Sequence, residues 1–239
     1  SFVQADSQEE AAELIRTIYR KELEHTSVGQ VQILTPFRSE GAASANGLNE
    51  AIRDEINPAE PGKPEITFGG KLFRLHDQVM QVKNDSDIIL HNENNEPVSR
   101  GVFNGEAGMI SAIRSSTVTV NFDGRFADYS LAHLGDLDLS YATTIHKAQG
   151  SEYEVVIIPM LPAHKILLSR NLFYTGITRA KRRVILVGHK KALYMAIGKS
   201  SNGRRNTLLG ERITLYQRAL THKAVPAALD GETKLKDAS

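Results

Sequence analysis

Two short runs of uninterrupted apolar residues constrain the fold more than any other feature of this sequence. They are VVIIP at residues 155–159 and VILVG at residues 184–188. A strand with one face in water alternates apolar and polar residues, whereas continuous apolar strands are typical of sheets that are buried on both faces. Such a sheet needs helices on both sides, so the two runs predict an α/β fold with a parallel sheet.

The segments around these runs have the order of strands and helices that an α/β domain uses. Ser7 and Glu10 have the spacing of a capping box and predict the start of an amphipathic helix over residues 7–25. The other predicted elements are a strand at 31–35, a helix at 48–56, a strand at 137–142, a helix at 167–181 and a helix at 189–198. The polar residues between 143 and 152 follow a predicted strand, at the end where open α/β sheets bind ligands.

The pattern changes after residues 57–65, whose three prolines cannot continue a helix or serve a central strand. Short β-type runs then follow one another, and Asp123-Gly124 between two of them is a strong hairpin signal. Residues 66–130 therefore predict a small antiparallel barrel inserted into the α/β domain. The polar segment 85–100 is expected to be a mobile loop of this barrel.

The predicted domain organisation is therefore discontinuous. The α/β domain comprises residues 1–65 and 131–221, and the inserted barrel comprises residues 66–130. The tail at 222–239 is polar, lacks apolar periodicity and is expected to be disordered.

Composition excludes several classes of protein. The sequence has no cysteine, so it can form neither a disulfide framework nor a thiolate metal site. No apolar run approaches the ~18 residues that a membrane span requires. The first residues, SFVQADSQEE, lack the features of a signal peptide. We expect a soluble protein of the cytoplasm.

The net charge of +1 conceals a strong asymmetry. Residues 163–212 contain 12 Lys and Arg against a single acidic residue, whereas the rest of the chain contains 17 against 27. A basic block on a near-neutral chain suggests a polyanionic partner such as DNA, RNA or nucleotide phosphate. The alternative, which charge alone leaves open, is a solvated helix face without a partner.

Gly198-Lys199-Ser200 resembles the end of a phosphate-binding P-loop, G-x-x-x-x-G-K-[ST]. The first glycine of that pattern is missing, because position 193 is a leucine. The triplet also ends a predicted helix, where Gly is typical of a helix stop. We therefore expect no P-loop in this chain.

Hydroxyls, a histidine and backbone amides are crowded together in YATTIHKAQGSEYEVVIIP, residues 141–159. Such groups can position a nucleic-acid backbone without reading its sequence. A solvated loop is the alternative from chemistry alone. A metal site is disfavoured, because no second histidine or carboxylate follows at the spacing of metal ligands.

Two segments, in order, resemble motifs V and VI of the superfamily 1 helicases. They are TIHKAQGSEYEVVIIP at 144–159 and NLFYTGITRAKRRVILVG at 171–188. Their forms are most similar to the RecD-like branch, the relatives of the exodeoxyribonuclease V alpha subunit. VQILTPFR at 31–38 is similar to motif IV of that branch, and the segments at 73–85 and 101–110 resemble the strands of its inserted SH3-like barrel.

This resemblance implies a second RecA-like motor domain with its SH3-like barrel. A first motor domain would supply the P-loop and the Mg²⁺-binding carboxylates, so ATP with Mg²⁺ would be bound mainly outside this chain. The chain would then be the C-terminal portion of a longer DNA helicase, inactive alone and translocating 5′ to 3′ on single-stranded DNA in recombination and repair. Its implied partners are single-stranded DNA, that first domain and other repair proteins.

The motif positions imply roles for individual residues. Arg179 aligns with the motif VI arginine that reaches the γ-phosphate, and Arg38 is the motif IV candidate for a second phosphate contact. A guanidinium suits this role because it is always charged and donates in a planar fork. The implied ATP-binding residues are Gln149, Gly150, Glu152, Arg179 and Arg38. The implied DNA-binding residues are Thr35, Asn104, Thr143, Thr144, His146 and Asn171.

Three basic neighbours of Arg179 have plainer interpretations. Lys181, Arg182 and Arg183 can lie at an exposed strand start, help to draw in DNA, or form a nuclear-localisation signal, which needs a longer cluster. Two other functions also stay open for the chain as a whole: a non-catalytic nucleic-acid-binding module, and a RecD-type subunit of a nuclease complex.

Overall fold

A five-stranded parallel sheet forms the centre of the α/β part of the chain. The computed structural model describes residues 1–162 and 169–198. The strands of this sheet are β1 (Phe2–Gln4), β2 (Val31–Thr35), β12 (Ala142–Thr144), β13 (Tyr153–Met160) and β14 (Ala180–Gly188). Their order is β1-β14-β13-β2-β12, and every neighbouring pair is parallel. The parallel α/β fold predicted from the apolar runs is confirmed.

Helices cover both faces of this sheet. They are α1 (Gln8–Leu23), α2 (Ala45–Ile56), α3 (Arg170–Ile177) and α4 (Lys190–Gly198). Val155 and Ile157 of β13 pack into the core formed with α1 and α2. The alternate residues Val156 and Ile158 pack into the core formed with α3 and α4. Because both faces of the strand are buried, it has no polar residue in this run.

Side-chain caps explain where the first two long helices begin. The Ser7 hydroxyl accepts a hydrogen bond from the amide of Glu10 at 3.0 Å, as the capping box predicts. The Glu10 carboxylate accepts from the amide of Asp6 at 2.8 Å, one residue earlier than expected. Helix α2 begins three residues before the predicted position, because the Ser44 hydroxyl accepts from the amide of Gly47 at 3.2 Å. A cap of this kind is worth about 1 kcal/mol of helix stability.

The segment between α2 and β12 forms a second, antiparallel sheet with a core of its own. Its strands are β5 (Gln78–Gln81), β6 (Asp85–His91), β7 (Pro97–Val102), β8 (Ala107–Ile113), β9 (Thr117–Phe122), β10 (Arg125–Ser130) and β11 (Leu137–Leu139). Their order is β11-β5-β8-β9-β10-β6-β7, and β3 (Glu65–Phe68) and β4 (Lys71–Arg74) form a separate hairpin. Asp123 and Gly124 have φ of 54° and 82° between β9 and β10, so the predicted hairpin turn is confirmed.

The prediction of a mobile loop at residues 85–100 is wrong, since the segment is the paired hairpin of β6 and β7. Only Ile88 and Leu90 of β6 are buried, and most of the other side chains of the hairpin are polar. An antiparallel strand with one solvated face tolerates such a composition. The turn is closed by the Asn92 side chain, which accepts from the amide of Glu96 at 3.0 Å.

The antiparallel sheet extends beyond the predicted end of the insertion at residue 130. Strand β11 lies at residues predicted to belong to the α/β domain, but it pairs with β5 of the barrel. Only Ser140 and Tyr141 separate it from β12 of the parallel sheet. The division at 65/66 and 130/131 stays a prediction, with this difference at its C-terminal boundary.

A buried carboxylate ties the two sheets together. Asp77 is fully buried between β4 and β5. It accepts hydrogen bonds from the Asn57 side chain at 2.7 Å, from the Tyr141 hydroxyl at 3.1 Å and from the amide of Arg74 at 2.8 Å. Asn57 ends α2 and Tyr141 packs in the α/β core, so the contact joins the barrel to that core. Burial raises the pKa of Asp77 above its ordinary value, although these hydrogen bonds oppose the change.

The raised pKa of Asp77 predicts a particular pH dependence for Asp77→Asn. Because the folded state holds this proton more tightly than the unfolded chain, its contribution to stability is complete below the unfolded pKa of about 3.9. That contribution is lost as pH rises through the folded pKa. The free energy of unfolding of Asp77→Asn relative to the wild type should therefore increase from about pH 3 to 6, by about 1.4 kcal/mol per tenfold change in proton affinity.

Urea unfolding of both proteins across this pH range measures the difference directly. Asp87→Asn is the control for the substitution itself, because the Asp87 side chain is 86% exposed. A difference that decreases between pH 3 and 6 would contradict the assigned direction.

Helix α3 is shorter than predicted. Its N-cap is Ser169, whose hydroxyl accepts from the amide of Leu172 at 3.2 Å, and it ends at Ile177. The predicted helix ran to 181, but Ala180 already pairs with Tyr153 as the first residue of β14.

Residues 163–168 and 199–239 lie outside the described part of the chain. Part of the basic block, the end of the GKS triplet and the tail at 222–239 belong to these residues. Within the described ranges, no helix is long and apolar enough to cross a membrane.

Candidate functional site

The parallel sheet separates the predicted site residues into two groups. Arg179 and Glu152 lie at its amino edge, where β14 and β13 begin. Thr144 ends β12 beside Thr35 of β2 at the opposite, carboxyl edge. The strand registers place Thr35 level with residue 159 of β13, six residues beyond Tyr153. At about 3.3 Å per residue, the two edges are roughly 20 Å apart.

Arg179 is held in a fixed position at the amino edge by neutral acceptors. Its guanidinium donates to the carbonyl of Thr175 at 3.3 Å, to the carbonyl of Ser151 at 3.1 Å and to the hydroxyl of Thr178 at 3.3 Å. Its own carbonyl accepts from the amide of Tyr153 at 2.9 Å, which fixes the backbone against β13. No carboxylate of the described residues forms an ion pair with Arg179, so its charge remains available to an anion.

The three basic neighbours of Arg179 differ from it in that each forms an ion pair with at least one acidic residue. Lys181 lies 3.7 Å from Glu152. Arg183 donates to Glu22 at 2.7 Å, and Arg182 lies within 4 Å of Glu22 and of Glu154. These pairs fit the interpretation of Lys181, Arg182 and Arg183 as residues of an exposed strand start.

The other predicted nucleotide residues lie on the loop that crosses from β12 to β13. Gln149 and Gly150 are exposed, and Gly150 has φ of +91°, a conformation that favours glycine. Glu152 is also exposed, and its ion pair with Lys181 is a surface contact that a ligand hydroxyl can replace. The loop therefore begins at the carboxyl edge and delivers Glu152 to the edge that carries Arg179.

At the carboxyl edge, the turn after β12 presents the predicted motif V residues. The Thr144 hydroxyl accepts from the amide of Lys147 at 3.4 Å, which begins a turn at residues 145–150. His146 is exposed on this turn, and Thr144 is half-buried. Thr143 is only 5% exposed, but it lines a cavity next to the turn.

The DNA contact predicted for Thr35 stays a prediction, and the structure gives this residue a structural contact. Thr35 is completely buried, and its hydroxyl donates to the carbonyl of Ala43 at 3.0 Å. It therefore fastens the loop between β2 and α2, and its side chain has no exposed surface to offer a ligand.

Arg38, the candidate for a second phosphate contact, follows β2 and lies at the carboxyl edge, whereas Arg179 lies at the amino edge. The Arg38 guanidinium donates to Asp138 at 3.1 Å. Arg38 is therefore grouped with the residues of the carboxyl edge, and its contact with a phosphate stays a prediction.

Asp138 forms ion pairs with three basic side chains that come from separate parts of the chain. Its carboxylate contacts Arg38, Lys71 of β4 and Lys147 of the turn after β12, the last at 3.5 Å. We call these four residues the Asp138 cluster. They line a cavity of about 230 Å³ between α2, β4 and β12. Three cations around one carboxylate leave an excess of positive charge, which suits an anionic ligand.

Two predicted asparagines remain to be placed. Asn104 is exposed on the turn between β7 and β8, which approaches the turn after β12 through Gly105. Asn171 is exposed in the first turn of α3, about one helix length of 12 Å from the amino edge. Their contacts with DNA stay predictions.

Lys71, Asp138 and Lys147 were not among the site residues predicted from the sequence. Lys147 lies within the motif V segment, so its place in the polar loop was a usable signal. Lys71 and Asp138 are 67 residues apart and come together only because β4 and β11 meet beside α2.

Comparison with known proteins assigns both parts of the chain. Residues 139–187 match the UvrD-like helicase C-terminal domain, and residues 48–122 match the SH3 domain of ATP-dependent RecD-like DNA helicases. The parallel sheet that carries Arg179 is thus the C-terminal, RecA-like motor domain of a superfamily 1 helicase. Together with the SH3-like barrel, it places the chain in the RecD-like family, as a C-terminal part.

Individual relatives agree with this placement. The chain is 38% identical over 188 residues to the ATP-dependent RecD2 DNA helicase of Deinococcus radiodurans, a match that covers 79% of this chain and 24% of the relative. It is 35% identical over 99 residues to the RecBCD enzyme subunit RecD of Mycobacterium tuberculosis, covering 41% of this chain and 17% of that protein. The chain thus spans a quarter or less of the length of these two relatives.

A more distant similarity was found to a solved structure. The Bacteroides Pif1 helicase, crystallised with ADP-AlF3 and ssDNA, aligns with a TM-score of 0.45 and 14% identity. The alignment covers 92% of this chain and 55% of that chain.

Proposed function

We propose that this chain is the second motor domain of an ATP-driven DNA helicase that translocates 5′ to 3′ on single-stranded DNA. The observation that carries this proposal is the separation of two sites by one sheet. An arginine that has no acidic partner among the described residues lies at the amino edge, and an exposed polar and cationic surface lies at the carboxyl edge. Its relative from Deinococcus radiodurans is an ATP-dependent DNA helicase, which supports the assignment of the two edges to ATP and DNA.

At the amino edge, Arg179 would act on the γ-phosphate of ATP bound by another domain. The carbonyls of Thr175 and Ser151 orient its guanidinium, so little reorganisation is needed when the phosphate arrives. Glu152 at the same edge can accept a hydrogen bond from a ribose hydroxyl. The side chain of Arg179 would stabilise charge that develops on the transferring phosphoryl group, the role of an arginine finger.

The described residues do not form a magnesium site, since they contain no group of three His, Asp or Glu side chains that could hold a metal ion. An Mg²⁺ ion that accompanies ATP would be bound by the nucleotide phosphates and by the domain that supplies the P-loop. It would neutralise phosphate charge there. This chain would then contribute the guanidinium of Arg179 and the carboxylate of Glu152.

At the carboxyl edge, Thr144, His146 and the Asp138 cluster would hold the backbone of single-stranded DNA. Hydroxyl and amide donors position phosphates, and lysines add a salt-dependent electrostatic attraction that does not depend on the DNA sequence. Closure of the two motor domains around ATP would move this grip relative to the first domain, and opening after hydrolysis would complete a step. We place this activity in DNA recombination and repair in the cytoplasm.

The test compares the 239-residue chain alone with the same chain joined to an upstream P-loop domain. The chain alone should show no DNA-stimulated ATP hydrolysis, and the joined protein should hydrolyse ATP when single-stranded DNA is added. Hydrolysis by the chain alone at helicase rates would overturn the two-domain proposal. If the joined protein binds DNA but never hydrolyses ATP, the chain is a nucleic-acid-binding module instead.

Polarity is tested on the joined protein with oligonucleotides that carry streptavidin at one end. A 5′ to 3′ motor should displace streptavidin faster from the 3′ end than from the 5′ end. Faster displacement from the 5′ end would refute the proposed direction while leaving the motor assignment in place.

A further inference from the structure

One aromatic side chain of the barrel is exposed without a structural reason. Phe103 is 54% exposed, and in the described residues only Tyr174 and Tyr194 are more exposed among the Phe and Tyr side chains. It follows β7 directly and contributes nothing to the barrel core. Exposure of a single apolar side chain is ordinary on a protein surface, so the inference depends on what surrounds Phe103.

The backbone around Phe103 is held firmly in place. Its carbonyl accepts from the amide of Glu106 at 3.0 Å, and Gly105 has φ of +96°, so residues 103–106 form a tight turn that needs glycine at its third position. The amide of Asn104 donates to the Asn84 side chain at 2.8 Å. The amide of Gly105 donates to the carbonyl of Gln81 at 2.9 Å. The turn is thus fastened to both ends of the β5–β6 connection.

The ring of Phe103 lies against bare backbone. A Cβ atom added to Gly101 would lie 3.5 Å from the Cζ atom of Phe103, so the ring covers a position where the strand has no side chain. One side of the ring is therefore supported, and the rest is open to solvent. A supported aromatic ring with a free face is the geometry on which a planar base can stack.

The turn that carries Phe103 adjoins the carboxyl edge of the parallel sheet. A Cβ atom added to Gly105 would lie 3.7 Å from the carbonyl oxygen of Lys147. Lys147 belongs to the Asp138 cluster and follows the exposed His146. An aromatic next to cations is the combination by which proteins hold single strands, since the cations attract phosphates while the ring stacks with a base.

We propose that Phe103 is a stacking platform for one base of single-stranded DNA, whose phosphates lie against Lys147 and the Asp138 cluster. This inference rests on the proposed function and deepens it, because it adds contact with a base to the contacts with the DNA backbone at the carboxyl edge. Every base has a flat face, so the contact works without sequence preference. It also requires an unpaired base, and so favours single strands over duplex.

The first test uses the absence of tryptophan from the chain. Phe103→Trp introduces a single indole, and stacking on a base of oligo-dT should quench its fluorescence. Val98→Trp is the matched control, because Val98 is 51% exposed on β7, the strand that Phe103 follows. The two positions are five residues, or about 17 Å, apart. Quenching of the indole at 103 alone supports the proposal, and equal quenching or none at both positions overturns it.

The second test measures affinity for oligo-dT by titration at several salt concentrations. Phe103→Ala and Phe103→Leu should weaken binding by roughly 5- to 150-fold, whereas Phe103→Tyr should bind as the wild type does. The slope of log affinity against log salt should not change in these variants, because no charge is removed. Lys147→Ala should instead reduce that slope by about 0.7.

An abasic strand separates stacking from any other effect of the substitution. On a strand that lacks bases at the bound positions, wild type and Phe103→Ala should bind equally, and a persisting difference overturns the proposal. If the wild-type chain does not bind single-stranded DNA at all, the proposed function fails as well. If it binds but Phe103→Ala binds equally well, only the role of Phe103 is refuted.

Discussion

Arg179→Ala, made in a protein that joins this chain to a P-loop domain, is expected to lower DNA-stimulated ATP turnover by ~10³–10⁵-fold. Binding of single-stranded DNA should be largely retained, because Arg179 lies at the amino edge of the sheet, roughly 20 Å from the carboxyl edge. Steady-state ATP hydrolysis at saturating DNA measures the first effect, and a titration with labelled oligonucleotide measures the second.

The size of this expected loss has a physical basis in the surroundings of Arg179. Its three hydrogen bonds within the described residues go to uncharged oxygens, so no acidic residue of that part has to release it before it meets a phosphate. Arg179→Lys should also lose most of the activity, because an ammonium keeps the charge but lacks the planar fork of donors. The Arg179 side chain also holds the loop at Ser151, so its replacement could disturb the fold. A circular dichroism spectrum of each variant is therefore needed to check that it is folded.

Two further arginines serve as controls for Arg179→Ala. Arg182→Ala removes a residue that is 51% exposed and paired with acidic side chains, so turnover should be unchanged. Arg38→Ala removes a cation of the Asp138 cluster, and it should weaken DNA binding and reduce its salt dependence by about 0.7. If Arg179→Ala instead reduced DNA binding and left turnover intact, the non-catalytic binding module would be the better description.

Gly188→Ala is expected to lower the free energy of unfolding of the chain by roughly 3–5 kcal/mol. Gly188 ends β14 between β1 and β13, and a Cβ atom there would lie 2.0 Å from the carbonyl oxygen of Met160. That oxygen accepts from the amide of His189 at 2.8 Å, so it cannot move away without losing the bond. The φ of +147° adds strain for any residue with a side chain.

A second glycine in the chain provides the matched control for Gly188→Ala. A Cβ atom added to Gly29 meets no atom within 4 Å, so Gly29→Ala should change the free energy of unfolding by no more than about 0.5 kcal/mol. Urea unfolding of the three proteins compares them under one condition. Equal stability of the two variants would show that the sheet can open at Met160 and would refute the clash.

The elements that could be predicted from the sequence are those whose signals are local. The apolar run of β13 implied burial on both faces, and the alternation of Val155 and Val156 between two cores is the reason. Asp123-Gly124 specified its turn because few residue pairs accept two positive φ angles. The hairpin of β6 and β7 was missed because only Ile88 and Leu90 face the core.

Some residues of the candidate site could be predicted from the sequence, but their separation between the two edges of the sheet could not. The motif resemblance singled out Arg179 and His146, and the structure shows both at exposed or half-exposed turns. The resemblance also listed Arg38 with Arg179 as ATP-binding residues. The positions of the two motifs in the sequence do not tell at which edge of the sheet each arginine lies. The parallel direction of β2 and β14 decides that these arginines lie at opposite edges.

The sequence by itself determined the parallel α/β class and the inserted antiparallel sheet, since these follow from local periodicity and turn residues, and the motif V and VI residues were identified by their resemblance to the helicase family. Only the tertiary structure decided which charges are free and which surfaces adjoin. An ion pair requires atoms within 4 Å, and residues such as Arg183 and Glu22, 161 positions apart, reach that distance only through strand order and packing. For the same reason, the approach of the turn at residues 103–106 to Lys147 through Gly105 follows from the fold and not from the sequence.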